Sequence, residues 1–413
     1  MDVKEQVDGI QEELVALRRH FHEHPERSWK EFETQKYIME YLDKLGIPCV
    51  KACKSGVIAT IKGPHSSDKI IGIRADIDAL PIKELGKESY KSQNEGTMHA
   101  CGHDTHITIL LGTAKILASM KDQLTVTVRL LFQPAEEFIE DSGAYYMKEE
   151  PLVKECDRLI ALHIWSKIPA GCASLRYGPV MSAADTFDIY VEGKGGHGAL
   201  PHQTIDPIVA GSEFVTALQT VVSREVNPLE PAVLSVTSFQ SGTTSNVIPG
   251  EAHLSGTART FNKELREEYP HILERVAQGI GTATRATIRT EYHFGPPPMI
   301  NDKECVDTGR RACAKVFDKD KIIDWELQMG GEDFAKYYNP KCLLLLGGGF
   351  ADEAKRYPQH SPYFDIDEKA LSLGVQYFVQ YVLEWEKECA EYSGRIEPPN
   401  PRVRATQSAG ESH

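Results

Sequence analysis

A chain of 413 residues, 41% hydrophobic and 26% charged with a formal net charge of -14, has the balance of a soluble globular protein. It is longer than one core usually supports, so two domains are expected. The acidic balance argues against generalised nucleic-acid binding, because the surface repels phosphate backbones; a small anionic substrate would need only local positive charge. No apolar run approaches the ~18 residues of a membrane span. Met1 to Arg19 is charged and amphipathic, without the apolar stretch and cleavage site of a secretory signal, so the expected compartment is the cytoplasm and no membrane partner is expected. The nine cysteines are scattered and odd in number, which predicts reduced thiols rather than a disulfide framework.

In chain order, residues 4–20 and 30–45 carry helical periodicity. Short apolar runs follow at 56–61, 70–73, 124–132 and 159–164, with a helix predicted over 105–120 between the second and third. Their lack of alternation fits strands buried on both faces, and the alternation with helices predicts an α/β sheet. The middle differs: a strand at 185–192, a helix at 206–223, strands at 232–240 and 252–260, a helix at 265–284 and a strand at 286–293. This β-α-β-β-α-β order reads as a compact insert, closed by Gly295-Pro296-Pro297-Pro298. Beyond it a helix is expected near 302–317, a strand at 343–346 and a helix from about 368 to 392. The expected fold class is therefore α/β: a mixed-sheet domain with helices on both faces, formed by 1–182 and 295–394, interrupted by a second domain at 183–294. Residues 395–413 read as a disordered tail. Two domains leave a cleft, a preferred ligand site.

Four segments hold an unusual share of metal-competent side chains: His99-Ala100-Cys101-Gly102-His103-Asp104-Thr105-His106, Gln133-Pro134-Ala135-Glu136-Glu137, Ala161-Leu162-His163-Ile164-Trp165 and Pro358-Gln359-His360-Ser361-Pro362. Several sit at the expected carboxyl ends of strands, or in the loop before the helix at 105–120. Open parallel sheets bind ligands outside the carboxyl ends of their strands. Imidazole, thiolate and carboxylate together suit zinc, manganese, cobalt or nickel. Adjacent Glu136 and Glu137 permit a division of labour, one binding metal and the other facing the attacking water. Each segment alone has an ordinary reading: an isolated histidine or Glu-Glu pair is usually surface or structural, and a lone cysteine a small buried hydrophobe. A Cys101 nucleophile competes. The G-x-S-x-G elbow and the H-E-x-x-H motif are both absent.

At these segments the chain resembles a known family. RADIDALPI, MHACGHDTH, LFQPAEE, ALHIW, GKGGHGALPH, SNVIPG, GTARTF, GGEDF and YPQHSP, in that order from about Leu17 to His360, are similar to the amidohydrolase branch of the dinuclear metallopeptidases. That branch includes hippurate hydrolase, N-acyl-amino-acid amidohydrolases, auxin-amino-acid amide hydrolases and related carboxypeptidases. The resemblance implies two divalent ions (Mn²⁺, Zn²⁺, Co²⁺ or Ni²⁺) held by Cys101, His103, Glu137, His163 and His360, with Cys101 bridging. It implies Glu136 as general base and His197 approaching the reacting carbonyl, in dimers often from the partner subunit. Asn246 and Arg259 would hold the substrate's carboxylate side. The insert would be a lid through which a homo-oligomer forms. Asp76 stands where other branches carry a metal-binding histidine, so a ligand role for it is doubtful; Asp78 is expected to orient a ligand. His202 and Asp333 read as structural. The expected activity is hydrolysis of the amide bond of N-acyl amino acids or small peptide-like substrates. The alternatives are a non-catalytic metal or amino-acid binding protein on the same scaffold, or an aminopeptidase or dipeptidase of the wider clan.

Overall fold

The computed structural model describes residues 2–395. The N-terminal helical pattern is broken: α1 (Val3–Asp8) and α2 (Gln11–Glu23) are separate helices. Gly9 ends α1 by donating its N–H back to Glu5, an interruption that apolar periodicity alone does not reveal. There follow α3 (Phe32–Lys44), β1 (Cys49–Ala52), β2 (Gly56–Ile61), β3 (Ile70–Asp76), α4 (His103–Ser119), β4 (Thr127–Gln133) and β5 (Arg158–Pro169). The middle of the chain supplies β6 (Asp185–Glu192), α5 (Pro207–Thr220), β7 (Ala232–Ser241), β8 (Glu251–Thr260), α6 (Lys263–Thr284) and β9 (Thr287–His293). Finally come α7 (Lys303–Val316), β10 (Lys341–Gly349) and α8 (Ala370–Arg395). The tail expected over 395–413 begins with the last residue of α8; the remainder lies outside the described residues.

The large sheet has the order β1-β2-β4-β3-β5-β10, closed by the short strand Ala173–Ser174. β3 runs parallel to β4 and β5, and β5 parallel to β10, whereas β1, β2 and Ala173–Ser174 pair antiparallel. The pleat sends alternate residues to two cores. Ile160, Leu162, Leu344 and Leu346 face α2, α4 and α8. Leu159, Ala161, Leu343 and Leu345 face the opposite side, with Met147 and Val153. Both faces are covered, so the strands read as unbroken apolar runs. Helix α4 is buried almost all round. A Cβ on its Gly112 would stand 2.6 Å from Leu14 of α2 and 2.8 Å from Val375 of α8, so glycine sets how closely those helices approach.

A second, antiparallel sheet has the order β7-β8-β6-β9. Here one face is covered, and alternation is visible: Phe187, Ile189 and Val191 pack with Leu254 and Ala258 beneath Phe214 and Leu218 of α5 and Tyr269 and Leu273 of α6. Arg259, between buried Ala258 and Thr260 on β8, falls on the opposite face. The chain enters and leaves this unit side by side, with the Ala184 N–H donated to the carbonyl of Pro296 at 3.1 Å.

Candidate metal centre and active site

Parallel β3, β4, β5 and β10 bring their carboxyl ends to one edge of the large sheet, and the site is built there. Gly102 lies between Cys101 and His103 in the left-handed region, with φ of 87°, and a Cβ on it would stand 2.3 Å from Ile164. Only glycine meets both demands without strain. His103 is the first residue of α4 rather than part of the preceding loop. Arg18, fully buried, ties this helix start in place through Asp104 at 2.9 Å and Asp365 at 2.7 Å.

Two imidazoles are held in defined tautomers. His103 Nδ1 lies 2.9 Å from the carbonyl of Asp78 and 3.3 Å from its carboxylate. His163 Nδ1 lies 2.8 Å from the carbonyl of Ile164. A carbonyl only accepts, so each Nδ1 carries the proton, leaving Nε2 as a ligand lone pair when the ring is neutral. His163 Nε2 stands 3.5 Å from Cys101 Sγ. Asp78 also accepts from Ser28 Oγ at 2.6 Å and from the Glu137 N–H at 3.0 Å. It thus joins the His103 and Glu137 segments. His360, with φ of 65° and its N–H donated to the carbonyl of Ala100, brings its Nε2 to 3.4 Å from Glu137 Oε1.

Two donor sets result, Cys101–His103–His163 and Cys101–Glu137–His360, in each of which the ligand atoms lie within 4.8 Å of one another. Cys101 belongs to both. The five side chains named from the sequence therefore converge. Buried His103 Nε2 and Glu137 Oε1 have no hydrogen-bond partner, yet they face each other at 3.8 Å. That spacing is too long for a hydrogen bond and leaves each atom free to serve as a ligand in its own set.

The electrostatics favour cations. Around Arg74, Asp76 and Asp333 lie at 2.7 and 2.6 Å and Glu332 at 3.2 Å, all buried, so one guanidinium faces three carboxylates. Burial, with Glu137 and Glu136 nearby, pushes the Cys101 thiol well up. Burial, then Glu137, Glu332 and Asp333, push the Glu136 carboxyl well up. Burial opposes charge on His103, but Asp76 and Asp78 outweigh it and raise the ring to about 10. Burial and the surrounding carboxylates raise Cys101 and Glu136, and the carboxylates alone raise His103; divalent ions would act against these shifts, releasing protons from Cys101 and His103.

The donors open into a cavity of about 320 Å³ whose lining includes Cys101, Glu136, Glu137, His163, His360 and Arg259, with Ile139, Trp165, Met181 and Pro296 among the walls. The Arg259 side chain is half-buried and makes no hydrogen bond or ion pair among the described residues, although Asp185 lies near enough to favour its charge. His197 and Asn246 do not line this cavity; both are exposed, and they meet where Gly196–His197 pairs with Val247–Ile248, the Gly198 N–H bonding the carbonyl of Asn246 at 2.9 Å. His202 is exposed on the same loop. Asp333, read from sequence as structural, lines the cavity while also accepting from Arg74, Gln133 and Ser142. Arg74, His106 and Glu332 were not singled out by sequence; burial of charge is a tertiary property, and only the R-A-D and H-D-T-H spacings hint at it.

The chain matches the model of peptidase family M20/M25/M40 over residues 72–384. It is 44% identical over 304 residues to an N-acyl-L-amino acid amidohydrolase of Geobacillus stearothermophilus, spanning 73% of this chain and 82% of that one. It is 41% identical over 373 residues to an N-acetyl-L-cysteine deacetylase of Bacillus subtilis, spanning 90% and 87%. Among solved structures, a dinuclear metal-binding peptidase of the M20 family from Bacillus subtilis superposes with a TM-score of 0.80 at 35% identity, covering 92% of this chain and 99% of that one. Carrying these donor sets at the carboxyl edge of its sheet, the chain belongs to the peptidase family M20/M25/M40.

Proposed function

We propose that this enzyme is a metal-dependent amidohydrolase that releases an amino acid from an N-acyl group, within a catalytic domain formed by 1–182 and 295–394 under a lid formed by 183–294. The observation that carries the reading is one cavity whose lining brings together Cys101, shared by two donor sets, and the guanidinium of Arg259. Two divalent ions, when bound, would polarise the scissile carbonyl and acidify a water molecule; mixed sulfur, nitrogen and oxygen donors suit Zn²⁺, Mn²⁺, Co²⁺ or Ni²⁺. Cys101, His103, His163, Glu137 and His360 would hold them. Glu136 takes a proton from the attacking water and returns it to the leaving amine. Arg259 receives the substrate carboxylate in a charge-assisted pair. His197 and Asn246 lie outside the cavity of their own chain, so we assign their approach to a second copy joined through the lid. The nine thiols are free of disulfides, which fits a reducing compartment such as the cytoplasm.

The test is a substrate panel on metal-reconstituted enzyme: N-acyl amino acids, their C-terminal amides, and amino-acid anilides. Turnover of the acids, reduced on the amides and absent from the anilides, is expected. Preferential turnover of anilides would identify an aminopeptidase, and metal uptake without turnover a binding protein.

A further inference from the structure

Of the other groups that meet the same distance criterion, one is buried at every member: Asp76, His103 and His106, again within 4.8 Å. On α4, His103 and His106 are three residues apart and share a helix face, so spacing alone would make either a ligand. Their hydrogen bonds separate them. His103 Nε2 has no partner. Both His106 nitrogens are committed: Nδ1 lies 2.5 Å from Asp76 Oδ1, and Nε2 accepts the backbone N–H of Ile164 at 2.8 Å. Asp76 is committed too, its other oxygen receiving Arg74 at 2.7 Å.

The partner of His106 explains its purpose. Strand β3 pairs with β5 only from Ile71↔Arg158 to Arg74↔Ala161. Beyond that register the edge of β5 loses its ladder, just before His163. His106 supplies the missing acceptor to Ile164, the residue after His163. The Ile164 carbonyl is held by the His163 ring at 2.8 Å and by the Gln359 amide at 2.9 Å. We propose that His106 is a positioning residue for the metal centre: through the Arg74–Asp76–His106 relay it fixes the peptide that aims His163, and it controls the Cys101–His103–His163 site without binding the ion. Asp76 sets the tautomer by accepting from Nδ1–H, which leaves the Nε2 lone pair for the peptide.

This inference rests on the metallohydrolase reading, and its test is independent of turnover. Metal-free wild type, His106→Leu and His106→Gln are titrated with Co²⁺, following stoichiometry by mass spectrometry and the cobalt absorption spectrum. Leucine removes both polar atoms, whereas the glutamine carbonyl can still accept from Ile164. In His106→Leu, one ion should bind as in wild type and the other at least about tenfold more weakly, with an altered spectrum. His106→Gln should restore the second ion to within about threefold of wild type, and the kcat of the fully loaded enzyme should follow while KM stays constant. Unchanged binding in His106→Leu, loss of both ions together, or a glutamine variant as poor as leucine would each overturn the proposal while leaving the two-metal reading intact. A wild type that takes up no cobalt would overturn both.

Discussion

Glu31 Oε1 accepts the backbone N–H of Ala135 at 2.9 Å, while Ser55 Oγ holds the other oxygen at 2.6 Å. Ala135 has φ of 51°, an uncommon conformation for a residue with a side chain, and it immediately precedes Glu136. A buried carboxylate at the N-terminus of α3 thus pins the turn that presents the proposed base. Burial and the neighbouring Asp78 push Glu31 up to about 7 from 4.5. A carboxyl raised on folding penalises the native state once ionised. Its contribution is most favourable below about pH 4.5 and is lost as pH rises through about 7. Glu31→Gln keeps an acceptor without the charge. In metal-free protein it should therefore unfold at higher denaturant than wild type at pH 8, by on the order of 1–3 kcal/mol, with the gap closing near pH 5. A gap of the opposite sign at pH 8 would show that the ionised form is the better clamp.

Glu136 and Glu137 should separate cleanly. Glu136→Gln should retain both ions and lose ~10²–10⁴ in kcat. Glu137→Gln should bind metal more weakly and recover part of its activity at high metal concentration. Metal content beside steady-state rates decides the matter; the inverse pattern would exchange the two roles.

Mixing inactive variants tests whether His197 acts across a subunit boundary. Glu136→Gln and His197→Ala are each expected to be nearly inactive. In a random mixture of dimers, half would be hybrids in which one site combines an intact Glu136 with the other copy's His197. Such mixtures should regain about a quarter of the wild-type rate. No recovery after verified subunit exchange would place His197 in its own chain's site.

Gly102→Ala should be damaging out of proportion to its size. It would put a side chain at φ of 87°, 2.3 Å from Ile164. A loss of about 1–3 kcal/mol is expected in chemical denaturation, together with weaker metal binding, since Cys101 and His103 flank it. Wild-type stability would mean that the turn relaxes freely.

Much of this architecture is legible in the sequence. Gly56–Ile61 and Asp185–Glu192 follow directly from an unbroken apolar run and a strict alternation, because burial of two faces or one dictates those patterns. Boundaries are less so. Gly9 breaks one periodic stretch into two helices, and β5 runs on to Pro169, placing His163 inside the strand. The donor cluster was visible because its residue types are rare together. The apparatus beneath it was not: Arg74 and Glu332 look like surface charges until the fold buries them against one another, and His106 differs from His103 only in what its nitrogens touch.

The partnership of β5 with β10, from Lys341↔Leu159 to Gly349↔Pro169, joins segments that lie far apart in the sequence, with the whole four-stranded unit between them. During synthesis, which proceeds from the N-terminus, β5 leaves the ribosome long before its neighbour. Its β10-facing edge stays open while the four-stranded sheet, complete by His293, can already close. Cys101, His103 and His163 are all present early, but His360 is among the last elements to emerge. The late segment also carries Gln359 and Asp365, which hold the Ile164 carbonyl and Arg18, so the donors that emerge early gain their supports only when the last part of the chain arrives.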